Sequence, residues 1–214
     1  MGIAGHSEGA MIAPVVASRN KDVAFIILFA GPGITGKEIL ITQNEAILTA
    51  QGLSKDSTMK LVNLNKEIIE AVESNPKNEN AQNLIKQVIS KLNLSQPIEE
   101  TYIKSYSVYL SPWFRTFFSF NPASYLSRVK CPVLVLNGSR DLQVLPKENL
   151  AAIEKALRDA KNTNYEIRAL EGFNHLFQQS ETGLPSEYGN TDKPAMDNKV
   201  LEITEAWIKK IPSL

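Results

Sequence analysis

The sequence predicts an α/β fold: a mostly parallel sheet with flanking helices and a long helical insertion. Two observations carry that prediction. Short β-branched and aliphatic runs that end in glycine, VAFIILFAG (23–31) and PVLVLNG (132–138), read as strands covered on both faces. Between and after them, apolar residues recur at helical spacing, and alternation of strand and helix argues for layers joined by right-handed crossovers.

The elements follow in chain order. Gly5-His6-Ser7-Glu8-Gly9 fits G-x-S-x-G, a sharp turn from strand to helix that exposes a serine hydroxyl. A strand should precede it, and residues 1–4 are what is available. In the helix after Ser7, Pro14 should delete a hydrogen bond and introduce a kink. Gly31-Pro32-Gly33 reads as a turn leading out of the first long strand. Residues 36–118 then show no strand signal. Leu61, Leu64, Ile68 and Val72 mark one helix, and Ala81, Leu84, Ile85, Val88 and Leu92 mark another. Gln96-Pro97 suggests a third, with Pro97 at its first helical position. Trp113, Phe114, Phe117 and Phe118 form an aromatic cluster that reads as core. After PVLVLNG, Leu150, Ile153 and Leu157 lie on one helical stripe, and YEIRALEG (165–172) alternates as an edge strand should. A polar stretch, SEYGNTDKP, holds Asp192, read as a helix cap, before a last helix striped by Val200, Ile203, Trp207 and Ile211. The division predicted is a core of 1–35 and 119–214 with 36–118 inserted as a helical cap, or lid, over the Ser7 opening.

Composition narrows the function classes. A chain of 214 residues with 43% apolar composition can bury one substantial core. Twenty-three basic and 23 acidic residues cancel, so no basic field points to nucleic acid. Cys131 is the sole cysteine, which excludes an intrachain disulfide and a cysteine-based metal cluster. The longest apolar run, 23–30, falls well short of the ~20 residues of a membrane-spanning helix. We therefore expect no cofactor, no metal, no nucleic acid and no membrane span, and the compartment stays open.

A serine nucleophile needs a base, and the base needs an acid to fix its tautomer. The chain has two histidines. His6 adjoins Ser7, where side chains on a tight turn diverge, so His175 in EGFNHLF is the candidate base. Asp141, three residues beyond Gly138, is the candidate acid. All three candidates lie just past separate predicted strands, where open α/β sheets place their sites. The Glu8 side chain reads as solvated.

The segments GHSEGAMIAPVVA, FAGPG, SRVKCPVLVLNGSRDLQV and EGFNHLFQ give the chain its family likeness. It resembles the C-terminal part of the α/β-hydrolase superfamily, most closely the esterase and serine-aminopeptidase-like branch with a helical cap. That resemblance implies a partial α/β-hydrolase fold with Ser7 as nucleophile, Asp141 as acid and His175 as base. The backbone N–H of Glu8 would be one oxyanion donor. A serine here argues against the members that use an aspartate nucleophile. The implied activity is cleavage of a small carboxylic ester through an acyl-enzyme. A peptidase or thioesterase of the same fold, or a non-catalytic fragment, is the alternative. The resemblance also implies that earlier strands, and the loop carrying a second oxyanion N–H, would precede Met1 in a longer protein. A sheet lacking them would have a raw edge and an uncovered face, so we expect a homodimer or other self-association, weak esterase activity, and an ester or amide as the small-molecule substrate.

Overall fold

The two most apolar runs become the middle of the sheet. In chain order the first elements are β1 (Gly2–His6), α1 (Glu8–Ala17), β2 (Phe25–Phe29) and α2 (Gly36–Ala50). The helices α3 (Lys55–Ser74), α4 (Asn78–Ser90), α5 (Gln96–Ser107), α6 (Pro112–Ser119) and α7 (Ala123–Leu126) follow. Then come β3 (Val133–Gly138), α8 (Pro146–Asp159), β4 (Tyr165–Leu170) and α9 (Asn198–Ile208). The structure, a computed structural model, describes residues 1–188 and 194–211. Asp192, read above as a cap, lies outside them; Asp197 caps α9, its side chain accepting from the Lys199 N–H at 2.9 Å. The described chain divides into two compact units, Met1–Ile34 with Asn121–Leu214, and Thr35–Phe120.

The first unit is built on a four-stranded parallel sheet in the order β1-β2-β3-β4. Successive side chains on a strand point to opposite faces, and the core divides accordingly. Ile26, Leu28, Val133 and Val135 pack with Ala10 and Ala13 of α1 and with Ile153 and Leu157 of α8. Ile27, Leu134 and Leu136 pack on the other face with Phe173, Phe177, Val200 and Trp207. Every residue of β3 is buried. That double covering is why β2 and β3 read as continuous apolar runs, whereas β4, at the edge, alternates polar and apolar residues in sequence and is only partly buried along most of its length. Pro14 sits inside α1 with its ring buried, and the helix continues past it to Ala17.

Helices make up the regular structure of the second unit among the described residues. Thr35 and Glu38 close a capping box at the start of α2. Ser95 is the cap of α5, so Pro97 occupies the second helical position and not the first. Leu64, Ile68, Val72, Ala81, Ile85 and Ile89 meet Phe118 in one core. The aromatic cluster therefore splits: Phe118 is fully buried and Phe114 and Phe117 pack against it, while Trp113 remains 46% exposed. Its ring lies on that of Phe117, with centroids 4.9 Å apart and planes 11° off parallel. Arg115 joins the end of α3 to the start of α4, donating to the Val72 carbonyl at 2.7 Å and to Asn78 Oδ1 at 2.9 and 3.2 Å.

Candidate active site

The strand carboxyl ends converge on one region of the first unit. Ser7 follows β1 directly, Asp141 lies three residues past β3, and His175 five past β4. At Ser7 the backbone turns abruptly, with φ 53° and ψ −115°. A positive φ costs an L-residue roughly 1–2 kcal/mol, so the chain must be held there by its surroundings. Two contacts hold it. The Ser7 N–H donates to the Phe29 carbonyl at 2.9 Å, and strand crosses helix so closely that a Cβ on Gly5 would lie 2.2 Å from the Gly9 carbonyl carbon. A Cβ on Gly9 meets nothing within 4 Å. Of the motif's two glycines, Gly5 is the one that close approach demands.

Asp141 is fixed from both sides. Asp141 is 1% exposed, and its Oδ1 accepts from the N–H groups of Gln143 and Val144 at 2.8 and 2.9 Å. Its Oδ2 faces His175 Nδ1 at 2.9 Å and Asn137 Nδ2 at 3.4 Å. Since Asp141 can only accept, Nδ1 carries the proton, and the other ring nitrogen, Nε2, is left as an acceptor.

His175 sits in a turn organised by Asn174, whose Oδ1 accepts from the N–H groups of Leu176 and Gln178 at 3.0 and 3.1 Å. The loops that carry Asp141 and His175 are stitched together. Arg140 N–H donates to the Phe173 carbonyl at 2.9 Å and Ser139 N–H to the Leu170 carbonyl at 2.8 Å. Arg140 also donates through its guanidinium to the Ser180 carbonyl. A Cβ on Gly138 would come within 2.1 Å of the Phe173 carbonyl oxygen, so this crossing needs glycine. Further on, Glu187 closes residues 180–187 into a loop. It accepts from Ser180 Oγ at 2.6 Å, from the Thr182 hydroxyl, and from the N–H groups of Thr182 and Glu181 at 2.9 and 3.1 Å. Those donors pull its carboxyl down to about 2.

Asp141 and His175 are thus brought into a hydrogen bond. The Ser7 hydroxyl makes no hydrogen bond to either of them among the described residues. Glu8 is the first residue of α1, where main-chain N–H groups point out of the helix end. Its side chain is exposed.

His6 has a place that the sequence does not reveal. Its Nε2 donates to the main-chain carbonyl of His175 at 2.8 Å, and the two rings lie 4.8 Å apart. His6, beside Ser7, therefore grips the backbone of His175. Burial pushes the His6 imidazole below its ordinary 6.5, with repulsion from the His175 ring adding to this; the bond to the carbonyl and the charge of Asp141 oppose it. Because the folded value lies below the unfolded one, the unfolded chain binds more protons as acid is added. The stabilising contribution is complete above 6.5 and is lost as pH falls through the folded value. His6→Phe keeps a ring but removes the donor, and should cost about 1–3 kcal/mol in urea unfolding. Its stability should also fall less steeply than wild type between about pH 7 and 5. Matching midpoints and slopes would show that the grip contributes nothing.

Asn137 and Asn149 were also hidden in the sequence. Asn137, buried at the end of β3, donates to the Val144 carbonyl at 2.9 Å and so shapes the acid loop. Asn149 Oδ1 accepts from the N–H groups of Gly33 and Ile34 at 2.8 and 3.4 Å, holding the Gly31-Pro32-Gly33 turn against α8. A polar residue interrupting an apolar stripe was the available signal for both. Among the described residues no group of three or more His, Cys, Asp or Glu side chains could hold a metal ion, and no helix is long and apolar enough to cross a membrane.

The architecture is a parallel sheet flanked by helices, with Ser7 after β1, Asp141 after β3 and His175 after β4. The described chain thus has an α/β fold built on a parallel sheet. No family model and no curated protein matches it. Solved structures similar to it include an esterase from Pyrococcus furiosus, 14% identical, with a TM-score of 0.49 over 99% of this chain and 54% of that one. An acylaminoacyl peptidase from Pyrococcus horikoshii is 12% identical, with a TM-score of 0.48 over 98% of this chain and 23% of that one. The chain thus spans about half the length of that esterase.

Proposed function

We propose that the chain belongs to a serine hydrolase that cleaves a small carboxylic ester through Ser7, His175 and Asp141. The observation that supports this reading is the buried Asp141–His175 pair at 2.9 Å, which leaves Nε2 of the imidazole as the acceptor a general base needs. Ser7 Oγ attacks the ester carbonyl carbon while His175 Nε2 takes its proton. The carbonyl oxygen becomes an oxyanion, accepting from the Glu8 N–H at the start of α1. His175 then returns the proton to the leaving alcohol as the carbon–oxygen bond breaks, and the acyl group stays on Ser7. Water, deprotonated by the same nitrogen, attacks the acyl-enzyme and releases the acid and free Ser7. Asp141 stabilises the imidazolium formed in each half.

Ester cleavage is favoured over amide cleavage because nitrogen resonance makes an amide carbonyl the poorer electrophile, a larger demand when only one oxyanion donor is assigned. The test is p-nitrophenyl acetate followed with time. A burst of nitrophenol equal to the protein concentration, then a slower steady rate, is expected from an acyl-enzyme. Mass spectrometry of quenched protein should find the acetyl group on Ser7. Acetylation of lysines alone, with no burst, would overturn the reading.

A further inference from the structure

β1 forms one edge of the sheet, and among the described residues no strand pairs with its outer side. Along a strand, successive residues turn their N–H and C=O groups to opposite sides. The Ser7 N–H reaches inward to the Phe29 carbonyl at 2.9 Å, so Gly5 and Ile3 also face β2. Gly2, Ala4 and His6 therefore turn their main-chain groups outward, and Gly2 and Ala4 are exposed. Such an edge is a template for another strand.

The two edges of the sheet differ. An edge that stays unpaired is commonly blunted by charged side chains or proline. β4, at the opposite edge, carries Glu166 and Arg168 as an ion pair. β1, GIAGH, has no proline, aspartate, glutamate, lysine or arginine, and Gly2 and Ala4 add little bulk. α1, packed over β1 and β2, adds an independent sign. From Gly9 to Ala17 it holds no polar side chain, and Ile12 and Val16, one turn apart, are 52% and 37% exposed. A helix that is apolar all round belongs in an interior.

Hydrogen-bond geometry and charge say what covers it. A free strand edge is satisfied by another strand edge, and β1 is its own complement. Set antiparallel to a second β1 with the two Ala4 residues opposite each other, it places Gly2 opposite the partner's His6 and every outward N–H against a carbonyl. That pairing has a two-fold axis and closes at two copies, whereas β1 laid on β4 of a next copy would continue as a filament. It also holds the two Met1 ammonium groups roughly 20 Å apart, where a parallel pairing would set them side by side. With strands about 4.8 Å apart, the two α1 helices come within about 10 Å, the distance at which helices pack. We propose that the chain forms a two-fold dimer in which β1 pairs antiparallel with the partner's β1 about Ala4, joining two four-stranded sheets into one and packing α1 against its counterpart.

Light scattering of the full chain at micromolar concentration tests this. Wild type should give about 47 kDa, twice the 23.7 kDa of one chain. The Ala4 N–H faces away from β2, so Ala4→Pro removes no hydrogen bond within the sheet. It should give a monomer with the circular dichroism of wild type. Ala4→Lys, which sets like charges opposite each other across the two-fold axis, should also give a monomer and does not depend on proline being tolerated. In a Cys131→Ser background, Ala4→Cys should link the dimer by a disulfide under mild oxidation, because opposed residues of a hydrogen-bonded pair have Cα atoms about 5.5 Å apart. Ser7→Ala should dimerise as wild type does, so the result stands apart from the hydrolase reading. A monomeric wild type, or assembly beyond the dimer, would overturn the proposal. So would a dimer that survives both Ala4→Pro and Ala4→Lys, or one that Ala4→Cys fails to link.

Discussion

Ser7→Ala should abolish ester hydrolysis, lowering kcat by a factor on the order of 10⁶, the scale on which loss of a serine nucleophile acts in a serine protease. The reason to expect a chemical and not a structural loss lies in the backbone. Alanine meets the same steric penalty as serine at φ 53°, and the chain already holds one at such an angle, Ala30 at φ 47°. The Ser7 hydroxyl makes no cap for α1, so its removal leaves no orphaned helix N–H that it had served. The melting temperature should therefore stay within a few degrees of wild type. Ser7→Gly offers an internal check. It should be equally inactive yet more stable by about 1 kcal/mol, because glycine relieves the strain of a positive φ. Turnover in Ser7→Ala within tenfold of wild type would remove Ser7 from the mechanism. No gain from glycine would remove strain from the account of the elbow.

The parts of this molecule visible in its sequence are those governed by burial and by period. β2 and β3 announce themselves because both faces are covered, and β4 by the alternation of polar and apolar residues in its sequence. The stripes of α3, α4, α8 and α9 are legible for the same reason. α2 was readable only as part of a helical span, although Thr35 and Glu38 stand at the spacing of a capping box. What burial cannot signal is a polar residue working through the backbone. Asn137, Asn149 and Asn174 look like turn formers in sequence, yet each is buried and ties together segments that are distant or sharply turned. His6 was set aside because its side chain should diverge from Ser7. It does serve another atom, the His175 carbonyl 169 residues away, a pairing that no local pattern encodes. The G-x-S-x-G motif weights its glycines equally, whereas contact geometry separates them: Gly5 is crowded and Gly9 faces open space.

Asp141→Asn should lower kcat by about 10⁴ with little change in KM, as the corresponding change does in a serine protease. The amide fits the same space, so the effect has to come from hydrogen-bond polarity. With Oδ1 kept towards the N–H groups of Gln143 and Val144, the new NH₂ takes the position of Oδ2, 2.9 Å from His175 Nδ1. An amide NH₂ can only donate, so Nδ1 must become the acceptor and the proton moves to Nε2. That nitrogen then cannot take the proton of Ser7. Flipping the amide restores an acceptor for Nδ1 but points its NH₂ at two main-chain donors, losing both loop contacts in a buried site. Either orientation is penalised, and the first is the milder. Asp141→Ala is the poorer probe because it strips partners from Gln143 N–H and Val144 N–H together and would destabilise the loop itself. Nitrogen NMR of the histidines reads the tautomer directly. Wild type should show the His175 proton on Nδ1 and Asp141→Asn should show it on Nε2, in step with the loss of turnover. A variant whose proton moves while kcat stays within tenfold of wild type would mean that His175 is not the base.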